Sequence, residues 1–301
     1  AYGAARVITA EKRSQTKSTV PGRLVSIGYV REDNEDLRPL SNVELAEFLK
    51  VIEGEEWSAL ERLILLTALM TGARKQTVLT MRLKHLKGFI SERLQADGTY
   101  LLHAGPGTGM DTKKDRSQRL HVPKQLAKEL RVLGDSPMMR QRRVKFRAAL
   151  SLYYPNIQIK DEDMYVFLSD QGGCYYMAKD DPRYPIVKSR PTGQVTDTIK
   201  RKILQKTSDK YPQDFSYHWL RATFGFQLYQ RLQALIVVGL MRPGDDIDFI
   251  MERMHHATRE MTEHYLQLFK MLPQKTVAQE KFEASLFLGS YSSFILSAQD
   301  E

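Results

Sequence analysis

Residues 57–86 read WSALERLILLTALMTGARKQTVLTMRLKHL. Leu60, Leu63, Ile64, Leu65, Leu66 and Leu69 fall on most sides of a single helix, the pattern of a helix enclosed by others. Gly72 is the stop signal, because a residue without Cβ takes the left-handed conformation that closes a helix at no steric cost. A second helix is predicted from Lys75 to about Leu86, which leaves Ala73 and Arg74 in a tight turn between two apolar helices. An arginine on such a turn projects from a rigid support, and the turn becomes the first candidate functional position.

Upstream, Ser41 with Glu44 three residues on forms a capping box ahead of Leu45, Phe48, Leu49 and Ile52 at helical spacing. A compact domain is therefore expected to begin near residue 39. Residues 11–23 are mostly Lys, Arg, Ser, Thr and Gln with a Pro21-Gly22 pair, a composition that reads as linker. Downstream, Phe89-Ile90, Tyr100 to His103 after a turn at Asp97-Gly98, and Arg119 to Val122 predict a small antiparallel sheet. Residues 123–150 read as helical, Val166 to Leu168 as a short extended piece, 170–193 as a long irregular excursion, and the chain from Val195 onward as mainly helical. The predicted class is mainly α with a small antiparallel β-sheet.

The chain has 301 residues, of which 42% are hydrophobic, enough to fill a sizeable core. Lys and Arg number 45 against 36 Asp and Glu, a net charge of +9 that favours a polyanionic partner over an acidic small molecule. The charge is concentrated: between Lys113 and Arg147 stand twelve Lys or Arg and three acidic residues, enough to account for the whole excess. Such a cluster is the footprint expected of phosphate-backbone contact, or else the solvated face of a helix. A single cysteine, Cys174, excludes an internal disulfide and a thiolate metal cage, which points to a reducing, cytoplasmic compartment. No stretch approaches the roughly 18 apolar residues of a membrane span, and the first residues lack the basic-then-apolar order of a signal peptide. His255, His256 and His264 lack the partners of a four-ligand zinc site, so neither metal nor cofactor is expected. Gly105-Pro106-Gly107-Thr108-Gly109 lacks the Lys-Ser or Lys-Thr that ends a phosphate cradle and is read as a hairpin loop.

The residues that carry chemistry are far apart in sequence. Arg74 follows Thr71-Gly72-Ala73; His218-Trp219-Leu220-Arg221 opens an amphipathic helix with His218 and Arg221 on one face; Met254-His255-His256 is followed, nine residues after His256, by Tyr265. Singly, each has an ordinary structural use: Arg74 could cap a helix, His218 could be a satisfied core histidine, and Tyr265, beside Leu266 and Leu268, could be a core tyrosine. Together and in this order they resemble the tyrosine recombinase (phage integrase) signature over residues 39–270: an arginine in a first box, His-x-x-Arg in a second, then a histidine and a tyrosine.

That resemblance implies a catalytic domain in which Arg74 and Arg221 grip the scissile phosphate, His218 and His256 are the second- and third-box histidines, and Tyr265 is the nucleophile. The family's lysine lies on a hairpin before the second box, matching Thr112-Lys113-Lys114-Asp115, with Lys113 and Lys114 equally placed. It further implies site-specific recombination of double-stranded DNA through a 3′-phosphotyrosyl intermediate, a homotetramer in the synapse and a monomer without DNA, nucleoid association, and accessory DNA-bending proteins. Residues 1–38 would be the remnant of an N-terminal DNA-binding region, and the apolar tail 271–301 would dock on a neighbouring protomer. The alternatives are a type IB topoisomerase or telomere resolvase, and an inactive DNA-binding architectural or regulatory protein. Two departures stand out: His255 occupies the place of the family's usual glycine, and Thr77 that of an acidic residue.

The residue types suit the reaction on their own. Charge building on the non-bridging oxygens of an attacked phosphodiester is matched by planar, bidentate guanidinium groups. Tyrosine, with a reference pKa of about 10, needs a neighbouring base or strong positive charge to attack at neutral pH; His218 is the better candidate base, with His256 donating to a phosphate oxygen. A lysine ammonium can deliver the proton that the departing 5′ oxygen requires.

Overall fold

The computed structural model describes residues 29–32 and 35–265. The expectations for residues 1–28 and for the tail from 271 to 301 lie outside the described residues. At Ser41 both halves of the capping box form, with Glu44 N–H donating to Ser41 Oγ at 3.3 Å and Ser41 N–H to Glu44 Oε2 at 2.8 Å, and they open α1 (Asn42–Ile52). Helix α2 (Ala59–Thr71) buries Leu60, Leu63, Ile64, Leu65 and Ala68 and is the central helix its sequence predicts. Gly72 closes it at φ 66°; a Cβ there would stand 2.6 Å from the Phe224 ring, so glycine is required for space as well as conformation.

The predicted helix from Lys75 to Leu86 is two short ones, α3 (Lys75–Leu79) and α4 (Leu83–Lys87). Between them the chain runs extended and pairs with residues 164–166: Leu83 N–H donates to Met164 O at 3.0 Å and Val166 N–H to Met81 O at 2.8 Å. These bonds compete with a continuous helix, and no local pattern announces them. The antiparallel sheet has two strands, β3 (Thr99–Ala104) and β4 (Gln118–Pro123), with Leu102 opposite Leu120. Phe89 lies outside it, buried with its ring 5.3 Å from that of Tyr100. The stretch read as one helix after Pro123 is α5 (Lys124–Asp135) and α6 (Pro137–Tyr153), divided where Ser136 caps Met139 N–H at 3.2 Å and Pro137 takes the first helical position.

Helices α7 (Val195–Lys206), α8 (Trp219–Val237) and α9 (Asp245–Met254) follow, then a helical turn over 259–265. Helix α8 packs along α2, fixed by Tyr217 Oη donating to Ile64 O at 2.9 Å. The described core starts ahead of residue 39. A short hairpin, β1 (Val30–Glu32) and β2 (Glu35–Leu37), buries Val30 and Leu37 and takes the Trp219 indole N–H on Asp36 O at 3.1 Å. Strands of three residues are too short to show a period.

The excursion 170–193 is irregular yet packed. Tyr165 Oη donates to Asp181 Oδ2 at 2.8 Å, and Arg183 reaches the same carboxylate with Nε and Nη2 at 3.0 and 2.7 Å while lying over the Phe146 ring. No described helix is long and apolar enough to cross a membrane.

Candidate active site

Arg221 lies within the first turn of α8 and is 2% exposed. Its Nη1 donates to Gly72 O at 2.6 Å and its Nη2 to Met254 O. Gly72 is the cap of α2 and Met254 the last residue of α9, so a buried cation meets the carbonyl-rich ends of two helices, where positive charge is favoured. The consequence is positional. One guanidinium ties the turn bearing Arg74 to the turn bearing His255 and His256.

Arg74 is the extended residue that precedes α3, at φ −74° and ψ 158°, and is 6% exposed. It lines a cleft of about 90 Å³ together with Lys113, Lys114, Arg116 and His255. Four cationic side chains around so small a space, with no carboxylate among its described lining residues, make a site for an anion. Both lysines stay at the cleft: Lys113 is half-buried and Lys114 exposed, on a single turn between β3 and β4. Thr77 fills the place of the acidic residue. Its hydroxyl donates to Asp111 O at 2.8 Å, and Asp111 N–H donates to Thr80 Oγ1 at 2.8 Å, so α3 holds the backbone that leads into the lysine turn.

His255 adopts φ 52° and ψ 43°, the left-handed conformation that glycine takes most easily. Its Nε2 lies 3.0 Å from Arg119 O and 3.2 Å from Arg119 N. Burial pulls its pKa down to about 4, so it is neutral at neutral pH.

His256 is buried, with Nδ1 3.0 Å from Thr262 Oγ1, and its ring centroid is 4.9 Å from that of Tyr265. Tyr265 is 1% exposed. His218 stands just before α8, 8% exposed, and lines a neighbouring hollow of about 440 Å³ with Lys75 and Lys200.

The basic segment 113–147 divides between two tasks. Arg142 pairs with Asp170, Arg147 with Asp161 and Arg119 with Glu252, while Lys145 Nζ donates to Asp170 O at 2.8 Å. These cations fasten α6 and β4 to neighbouring segments. Lys113, Lys114 and Arg116 remain at the cleft. The sequence does not single out Thr77, Thr80 or the contacts of residues 170–193: Thr77 and Thr80 meet Asp111 across 34 and 31 positions, and Tyr165 meets Asp181 across 16, with no local pattern to announce them. Among the described residues no group of three or more His, Cys, Asp or Glu is placed to hold a metal ion.

No family model matches the chain, and no curated protein matches it significantly. Among solved structures it is similar to the XerH site-specific recombinase bound to palindromic difH substrate, at 17% identity and TM-score 0.45, covering 83% of this chain and 53% of that one. It is similar to the XerA recombinase at 15% identity and TM-score 0.46, covering 80% and 64%. It is also similar to the catalytic domain of bacteriophage HP1 integrase at 14% identity and TM-score 0.36, covering 85% and 97%. The chain thus spans about half the length of the XerH chain.

Proposed function

We propose that this chain is a site-specific tyrosine recombinase that cuts and rejoins double-stranded DNA. The observation that carries the reading is the Arg221 bridge between Gly72 and Met254, which brings to one place three segments that are remote in sequence and that each hold one part of the signature. Arg74 and Arg221 bind the non-bridging oxygens of the scissile phosphate, and Tyr265 attacks phosphorus in line. The bond to the 5′ oxygen breaks as the 3′-phosphotyrosyl bond forms, and Lys113 or Lys114 protonates the leaving oxygen. His256, in ring contact with Tyr265, and His218 share the remaining duties of accepting the phenolic proton and supporting the phosphate. The bond energy is kept in the phosphotyrosine, so a second DNA hydroxyl can reverse the step. The buried position of Tyr265 supports a resting state in which cleavage waits for DNA to draw the phenol out.

The test is covalent capture. The chain and its Tyr265→Phe variant are incubated in EDTA with a pool of nicked duplexes of randomised core sequence, and denaturant-resistant complexes are collected and sequenced. Wild-type capture of a defined sequence, absent in the variant, supports the recombinase. Capture without sequence preference supports a type IB topoisomerase. A chain that binds duplex DNA and forms no adduct is an architectural protein.

A further inference from the structure

We propose that Lys179, in the 170–193 excursion, is a positioning residue that holds the lysine turn in the geometry needed to protonate the leaving oxygen. The inference rests on the recombinase reading and deepens it.

The turn carrying Lys113 and Lys114 is strained. Lys114 and Asp115 are successive non-glycine residues at φ 58° and 52°, conformations that persist only where the surroundings over-determine them. Within the turn, Thr112 Oγ1 donates to Arg116 O at 2.6 Å and Asp115 N–H to Thr112 O at 3.3 Å. From outside, a single residue grips both ends. The Lys179 main-chain N–H is shared between the two carboxylate oxygens of Asp111 at 3.2 Å each, and its ammonium lies 2.7 and 2.8 Å from the two of Asp115.

Lys179 is itself anchored through its neighbours. Asp180 accepts Arg82 Nη2 at 3.0 Å, and Arg82 also donates to Gly109 O at 3.1 Å while lying 3.7 Å over the Tyr165 ring; Asp181 accepts the Tyr165 hydroxyl. The buried core therefore reaches the lysine turn through residues 179–181.

The Lys179–Asp115 pair is half-exposed on both sides, and such a pair contributes little to folding. Its weight is chemical. Without Lys179, the Asp115 carboxylate is released beside two lysines and can pair with either ammonium, holding it away from the 5′ oxygen. Lys179 occupies Asp115 and so keeps that carboxylate from competing for either lysine.

A leaving group that needs no proton separates this role from a structural one. A 5′-bridging sulfur departs as a stable thiolate, so loss of the general acid, or of its positioning, matters only when the leaving atom is oxygen. The captured duplex is synthesised with oxygen or sulfur at the scissile position and cleaved under single-turnover conditions by the full chain and by Lys113→Ala, Lys114→Ala, Lys179→Ala and Asp115→Asn. A positioned general acid is worth about 10²–10⁴ in rate, so Lys179→Ala is expected to slow the oxygen substrate about tenfold and the sulfur substrate less than about twofold. Asp115→Asn, which removes the charge that competes for the lysines, is expected to restore the Lys179→Ala rate on oxygen when the two are combined. Equal slowing of both substrates, or no slowing of either, overturns the proposal. A wild-type chain that cleaves neither substrate overturns the recombinase reading itself, and the two failures are thereby distinct.

Discussion

Arg221 Nη1 donates to Gly72 O at 2.6 Å across a sequence separation of 149 residues. The contact makes a phosphate-binding arginine of the proposed mechanism also the clamp of the site. Removing this side chain leaves two buried carbonyl oxygens unsatisfied, at about 1–3 kcal/mol each. Arg221→Ala is therefore expected to lower thermal stability sharply. Arg221→Lys keeps the charge but lacks the fork that reaches two carbonyls; it is expected to fold less stably and to lose at least about a hundredfold in adduct formation. Thermal melting alongside single-turnover capture separates the two effects, and a Lys variant of full activity would remove Arg221 from phosphate binding.

Gly72 makes a second, independent demand on the same turn. Gly72→Ala brings a Cβ against Phe224 at 2.6 Å in a left-handed conformation, and a loss of about 2–4 kcal/mol is expected from overpacking and backbone strain together. Adding Phe224→Leu is expected to recover the steric part and leave the conformational part, measured by chemical denaturation of both variants.

Two histidines give the fold an acid-sensitive component. Burial pulls His85 and His255 from the ordinary 6.5 to about 4. Both are neutral in the folded chain while the unfolded chain takes up protons between pH 6.5 and 4. Their contribution is fully present above pH 6.5 and is lost as the pH falls toward 4, with a slope of up to about 1.4 kcal/mol per pH unit for each. His85 accepts Arg82 N–H on Nδ1 at 2.9 Å, a bond that protonation forbids. Melting temperatures recorded across this window are expected to fall for the wild type and to fall less steeply for His85→Gln. An identical decline for both would remove His85 as a source.

Much of the fold was legible because its signals are local. The apolar run of α2, the Gly72 stop and the Ser41–Glu44 box each lie within a few residues and need nothing else to act. The break after Leu79 was not legible, because the extended segment around Arg82 pairs with residues 164–166 across the chain. The three-residue strands β1 and β2 escaped for want of a period, and the division at Ser136-Pro137 passed as one helix because apolar spacing continues across it.

The site followed the same rule. Its chemical residue types stood out in order, and Arg74, Lys113 and Lys114 line one cleft. What supports them did not stand out: Thr77 and Thr80 on Asp111, and Lys179 on Asp115, are ordinary residues whose meaning comes from partners tens of positions away. His255 is the intermediate case, since its left-handed backbone became intelligible only once the end of α9 was seen.

The most direct measurement is the chemical identity of the bond to DNA. The captured complex is digested with nuclease and trypsin, and the nucleotide-bearing peptide is sequenced by mass spectrometry. The expected result is a 3′-linked nucleotide on Tyr265, within the tryptic peptide of residues 260–270. A nucleotide on any other residue, or a 5′ linkage, would contradict the assignment of Tyr265 as the nucleophile.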